Sequence, residues 1–316
     1  MARAAEGLTL AILLGAASAL PSRAAVERTA GVLASVETAS FDWAIAGNGV
    51  NVLSELTWSN LRILAIGARG EFVLRRHLVL MADLTVGRIE SGDNRDSDYA
   101  GSDRTLLYSR SNNDGGGDGL FEGEFDAGYR LDLRQRAFGR SISVIPFFGY
   151  AYRRTKFRMT DGNQTVSRPD LVSPPDAPPP VGPFPGLDST YDARWQGPAI
   201  GVEARWAVGE RHDLSLRLVY RLEAYRATAN WNLRDDFAHP TSFHQETTGG
   251  GLTVTGRFGV MNRPRTKISV ALEYVDWTGS GGTDTTYLAT GEIEVGPLNS
   301  VNWSALTFSV GAEFGF

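Results

Sequence analysis

The last eleven residues, Leu306 to Phe316, read LTFSVGAEFGF. Leu306, Phe308, Val310, Ala312, Phe314 and Phe316 occupy every second position, and Thr307, Ser309, Gly311, Glu313 and Gly315 lie between them. Successive side chains of a β-strand point to opposite faces, so a period of two gives this segment one greasy face and one polar or small face. A helix would scatter both sets around its circumference. Any fold for this chain must therefore supply an apolar surrounding on one side of a strand and a polar one on the other.

The same alternation recurs upstream. Phe121, Phe125, Ala127, Tyr129, Leu131 and Leu133 oppose Glu122, Glu124, Asp126, Arg130 and Asp132. Leu214, Leu216, Leu218, Tyr220 and Leu222 oppose Ser215, Arg217, Arg221 and Glu223. Leu252, Val254, Phe258 and Val260 oppose Thr253, Thr255 and Arg257, and Ile268, Val270, Leu272 and Tyr274 oppose Ser269, Ala271 and Glu273. A soluble sandwich would place the apolar faces inside; a membrane barrel would place them against lipid. The chain's two ends choose between these. A terminal alternating strand closing on Phe316 resembles the assembly signal of bacterial outer-membrane barrels. Leu8 to Ala19 is an apolar stretch of signal-peptide length, with Ala17-Ser18-Ala19 and Ser22-Arg23-Ala24 as small-x-small cleavage sites.

The expectation is a signal peptide over 1–25 and one all-β transmembrane antiparallel barrel over 26–316, in the outer membrane of a Gram-negative cell. Strands are predicted near 31–45, 51–72, 78–90, 119–134, 141–158, 191–207, 213–229, 243–260, 266–278 and 301–316. The connections alternate between short periplasmic turns and long extracellular loops. The long ones fall near 90–118, 159–190, 230–242 and 278–300. The 159–190 loop holds eight of the 14 prolines and reads as an extended spacer without strand or helix. Mean hydropathy of −0.18 excludes a helical membrane protein, the lack of cysteine excludes a disulfide framework, and a net charge of −5 argues against a nucleic-acid partner. Charges of both signs on the polar faces predict a lumen plugged by ion pairs.

Chemistry is sought in the loops. Between Glu90 and Asp118 seven acids stand against Arg95, Arg104 and Arg110. Asp96 and Asp98 share one face of an extended strand, where each raises the other's pKa and both could position a water. The oxygen-rich runs at 93–98 and 113–119 lack an EF-hand's spacing and read as turn chemistry.

On these residues the chain resembles the omptins, ten-stranded outer-membrane proteases. Leu53-Ser54-Glu55-Leu56-Thr57-Trp58 is similar to the family's second-strand motif, Asp96-Ser97-Asp98-Tyr99 to its Asp-x-Asp-aromatic motif, and Glu124-Phe125-Asp126 to its Glu-Phe-Asp strand. Ser109 or Ser111 falls near its loop serine. The resemblance implies that Asp96 and Asp98 form half of a catalytic site, faced by a His–Asp pair whose His acts as general base on a water. In the family that pair is spaced Asp-x-His after the seventh strand; here those positions hold Asn230-Trp231-Asn232. The nearest candidates are Asp235, Asp236 and His239, with His244 further on. The expected catalytic set is Asp96, Asp98, Asp236 and His239, and no cofactor is expected beyond lipopolysaccharide, which omptins require. Expected partners are outer-membrane lipid and lipopolysaccharide, the barrel assembly machinery through Phe316, and a peptide substrate. Three functions stay open: an omptin-like surface protein that binds through its loops, an active omptin-type aspartyl endopeptidase, and a small porin, as implied by a resemblance to the related Protochlamydia-type outer-membrane proteins that share this general pattern.

Overall fold

The computed structural model describes residues 26–134, 141–173, 177–263 and 265–316; the signal-peptide segment, 1–25, lies outside them. Thirteen strands form one closed sheet. In chain order they are β1 (Val26–Gly47), β2 (Val50–Leu74), β3 (Leu78–Gly101), β4 (Thr105–Asp114), β5 (Gly117–Tyr129), β6 (Leu131–Arg134), β7 (Ser141–Ser167), β8 (Gly182–Phe184), β9 (Ser189–Val208), β10 (His212–Asn230), β11 (Phe243–Arg263), β12 (Thr266–Tyr287) and β13 (Ile293–Gly315). All pairings are antiparallel. β13 pairs with both β12 and β1, so Leu306–Phe316 is the stave that closes the ring.

The barrel has ten staves because β4 and β5 are two halves of one. β5 lies between the lower parts of β3 and β7, and β4 lies between their upper parts. The break between them falls at Gly115 and Gly116. A Cβ on Gly115 would lie 2.9 Å from the Asp93 backbone and 3.0 Å from the Trp58 ring, so only glycine lets the stave pass there.

The strands rise further than their apolar pattern. The expected loop at 90–118 is mostly an upright hairpin of β3 and β4, so the runs at 93–98 and 113–119 lie largely in strand rather than in turns. The 159–190 segment also departs from the expectation. Met159–Ser167 continues β7, Pro169–Leu171 makes a 3₁₀ turn, and Gly182–Phe184 pairs back onto β7. β12 runs on to Tyr287 and β13 begins at Ile293. Above a bilayer both strand faces meet polar surroundings, so the ladder continues while the alternation that reveals it disappears.

Ile200, Phe148, Leu222, Leu272 and Phe308 are exposed on the outer surface, part of a continuous apolar belt that suits lipid. The interior is filled in layers. Near the short turns Val73, Val79, Met81, Ile145 and Phe147 form a small apolar cluster. Above it lie paired charges: Arg205 with Glu71 (2.6 Å), Arg217 with Glu124 (2.5 Å) and Asp126 (2.6 Å), and Arg153 with Glu37 (2.6 Å) and Glu122 (3.2 Å). Arg221 joins this network through Glu122 and Glu124. A cavity of about 110 Å³ remains among them. Above the charges, Phe41, Trp58, Phe157, Tyr191, Trp195, Tyr225, Trp277 and Trp303 pack together, all less than 3% exposed. Phe41 stacks on Phe157 at 5.0 Å, and Trp58 meets the same ring at 4.8 Å. Ion pairs and aromatic layer together fill the lumen as the charge pattern predicts, and leave no wide aqueous path among the described residues.

Candidate functional site

The omptin-type residues stand on the rim above the aromatic layer. Trp58 and Leu56 on β2 are fully buried and point inward, and their partners across the ladder are Asn94 and Asp96. Asn94, Asp96 and Asp98 therefore form an inward-facing row on β3. Ser109, Ser111 and Asn113 form a matching row on β4, opposite Asp98, Asp96 and Asn94 respectively. Asn113 Nδ2 donates to Asn94 Oδ1 at 2.7 Å and to Ser111 Oγ at 3.1 Å, and Gln164 Nε2 on β7 donates to Ser109 Oγ at 3.1 Å. Sequence reasoning places Asp96, Asp98 and the serines together, and the structure does the same.

The hairpin that carries this row is held upright from its outer side. Asn51 and Asp103 exchange two hydrogen bonds of 2.7 Å, Tyr99 Oη donates to Glu55 Oε1 at 2.5 Å, and Arg104 Nε donates to Glu55 Oε2 at 2.7 Å. Asp103 and Arg104 adopt positive φ of 58° and 61°, the two-residue turn geometry that matches strand twist.

Across the rim, residues 231–242 connect β10 to β11. Ala238 N donates to Tyr287 O (2.7 Å), Ala289 N to Asp236 O (2.8 Å) and Ser242 N to Ala229 O (2.8 Å), so this loop is sewn to its neighbours. Arg234 donates through Nε and Nη2 to both oxygens of Asp236, at 2.8 and 2.7 Å, and its guanidinium lies 4.2 Å from the centroid of the Phe237 ring. Asp236 is thereby engaged by Arg234 instead of by a histidine, and the hydrogen bonds from Arg234, helped by its charge, hold its pKa below the usual carboxylate range.

Asp96 behaves in the opposite way. Loss of surrounding water raises its pKa well above the usual value, the neighbouring charge of Asp98 raises it further, and Arg234 and the Ser97 backbone N–H act against them. Arg234, on the β10–β11 loop, is thus a cation whose charge opposes that rise at Asp96. Sequence reasoning missed it because it sought a histidine; the signal was the Arg234-x-Asp236 spacing, which suits two side chains meeting on one side of an extended segment.

His239 is exposed, and its Nδ1 lies 2.7 Å from Asn230 Oδ1. Asn230 sits where the omptin pattern has its acid. Asn232, where that pattern has its histidine, accepts from Asp188 N and Ser189 Oγ and donates to Gly186 O at 2.7 Å, tying the end of the proline-rich loop to the rim. His244 faces outward beside Glu246 (3.7 Å), since its neighbour Gln245 is the inward, buried residue.

Residues 36–316 match the family model described as Protochlamydia outer membrane protein. The chain belongs to this family. Its fold is that of the outer membrane protease OmpT from Escherichia coli, with a TM-score of 0.73 over 95% of this chain and 99% of that one, at 15% identity. Weaker overlaps are found with the outer membrane protein OprG from Pseudomonas aeruginosa (TM-score 0.33, 10% identity, 92% and 95% of the two chains). The translocator domain of autotransporter NalP from Neisseria meningitidis gives a TM-score of 0.35 at 9% identity, over 98% and 95% of the two chains. No curated protein matches the sequence. For this Protochlamydia-type outer-membrane protein the omptin likeness therefore establishes the barrel, while the rim residues must speak for the chemistry.

Proposed function

We propose that this barrel is a surface-binding protein whose rim cleft receives a cationic segment of a peptide or protein at Asp96 and Asp98. The observation that carries the reading is the row itself: Asp96 and Asp98 stand two apart on one face of β3, opposite Ser111 and Ser109, and the charge of Arg234 is felt at Asp96. A side chain of the same chemistry on a partner would meet the same two carboxylates, with Ser109 and Ser111 beside them as neutral hydrogen-bonding groups. Arg234 does not itself replace the histidine of the omptin pattern as a base, because a guanidinium stays charged throughout the physiological range. Asp236 is occupied by Arg234 in this arrangement.

A second reading has one observation in its favour. His239 bonded to Asn230 gives an imidazole with an orienting partner at a position that corresponds to half of the omptin pair. In that reading Asp96, Asp98, Asp236 and His239 remain the catalytic set, with peptide as substrate and lipopolysaccharide as requirement. The proposed route to the surface is export by the segment at 1–25 and insertion by the assembly machinery reading Phe316.

One experiment separates the two. Protein refolded with lipopolysaccharide is given a peptide library, and both retention and cleavage are measured beside an Asp98→Ala variant and a His239→Ala variant. Retention of cationic peptides that is weakened in Asp98→Ala, with no cleavage above that variant, is the expected result. Cleavage abolished by either substitution would establish the peptidase instead.

A further inference from the structure

We infer that the short-turn end of the barrel carries an arginine collar that binds the phosphates of anionic phospholipids in the inner leaflet of the outer membrane. Short turns mark the periplasmic end of such barrels. Here three of them present Arg75 and Arg76 (between β2 and β3), Arg211 (between β9 and β10), and Arg263 and Arg265 (around the β11–β12 turn). All five side chains are exposed, and none makes an ion pair among the described residues. Among the described residues the acidic side chains nearby are mostly engaged: Glu27 and Asp132 face Arg130 (3.1 and 3.6 Å), Asp213 and Glu313 face Lys267 (3.4 and 2.9 Å), and Glu210 is left over. A chain of net charge −5 thus gathers unpaired positive charge at one end.

Two features tie this charge to lipid rather than to a soluble anion. The collar continues directly into the apolar belt, with Leu78, Leu214, Phe258 and Ile268 exposed on the adjoining staves. At the junction His77 stacks on Tyr129 (5.3 Å) and His212 on Phe258 (5.8 Å), ring pairs with one apolar and one polar partner, as suits the headgroup boundary. Guanidinium groups just beyond that boundary sit at the depth of lipid phosphates, which they can grip through paired N–H donors. Arg75, Arg76 and Arg265 have φ of 51°, 68° and 70°, the left-handed region that glycine or asparagine occupies with least strain.

The test uses the full barrel refolded in neutral detergent and doped with equal amounts of phosphatidylglycerol and phosphatidylcholine, with retained lipid counted by native mass spectrometry. Wild type is expected to retain phosphatidylglycerol in preference, on the order of fivefold for each arginine engaged. Joint replacement of the five by glutamine should abolish that preference, while Arg194→Gln with Arg226→Gln, at the opposite end, should leave it unchanged. Slower gel migration on boiling confirms that each variant is folded. Equal retention of the two lipids by wild type, or an unchanged preference in the fivefold variant, would overturn the inference. So would displacement of the phosphatidylglycerol by inorganic phosphate at equal concentration, which would mean a soluble-anion site. Binding to peptidoglycan sacculi that depends on the five arginines, without lipid preference, would assign the collar to the cell wall and also overturn it.

Discussion

Charged side chains line both the lumen and the rim of this barrel, but they meet different neighbours. In the lumen Arg153 and Arg217 are each set between carboxylates from other staves. Arg153 on β7 reaches Glu37 on β1 and Glu122 on β5, and Arg217 on β10 reaches Glu124 and Asp126 on β5. These pairs cross-link the wall from within, where water is scarce and an unmatched charge would be costly. At the rim two like charges stand side by side on β3, and the opposing cation, Arg234, is shared with Asp236. The same residue types hold the container together in one region and leave negative charge available to a partner in the other. What separates the two roles is the sign of the neighbour and access to water.

The largest test of this contrast is Arg153→Met. It strands the Glu37 carboxylate, only 7% exposed, and should cost about 3–5 kcal/mol, read as a lowered urea midpoint of the refolded barrel. Adding Glu37→Gln should restore part of the loss, because the stranded charge is then gone. An unchanged midpoint for Arg153→Met would break the comparison. The equivalent change at the rim, Arg234→Met, should leave stability within about 0.5 kcal/mol of wild type, since the side chain is largely exposed. It should nonetheless raise affinity for a cationic peptide by up to about fivefold, the worth of one exposed ion pair.

Asp98→Asn sharpens the same point. Affinity for the cationic peptide at neutral pH should fall by up to about fivefold. The pH at which binding fails should also move down, because Asp96 loses the neighbouring charge that helps raise its pKa. In the wild type, binding measured by titration should weaken as pH falls through the raised pKa of Asp96, above the ordinary value of 3.8. The linked stability effect has the opposite sense. A carboxyl raised in the folded state contributes stability fully below 3.8, and that contribution is lost as pH rises through the folded pKa. A wild-type affinity that is flat until the ordinary carboxylate range would remove Asp96 from the site. The smallest effect is expected at Thr278→Ala, on the exposed outer wall, where one hydrogen bond of 2.8 Å to Asn302 is lost and stability should stay within about 0.5 kcal/mol.

Legibility followed the solvent. Where the wall meets lipid, every second residue must be apolar, so β10 could be read nearly to its ends from Leu214–Leu222, and the lower part of β12 from Ile268–Tyr274. Where the wall rises into water that demand ends, so Asp93–Gly101 and Thr105–Asp114 looked like a loop although they form a regular ladder. The acidic half of the rim site was legible because Asp96 and Asp98 are two residues apart on one strand. The other half was not. Arg234 and Asp236 come from a loop more than a hundred residues away, and no local pattern states which of its side chains turns toward β3.

The sequence by itself determined the container: a period of two sustained over ten staves admits only a sheet with one face in an apolar medium, and opposed charges on the other face require a filled lumen. Tertiary structure decided what faces what. Closing the ring by β1 and β13 brought β3 and the β10–β11 loop to the same rim, matched Arg234 instead of a histidine to the acidic pair, and left five arginines unpaired at the other end. Those outcomes depend on distances across a closed surface, which no segment of the chain encodes alone.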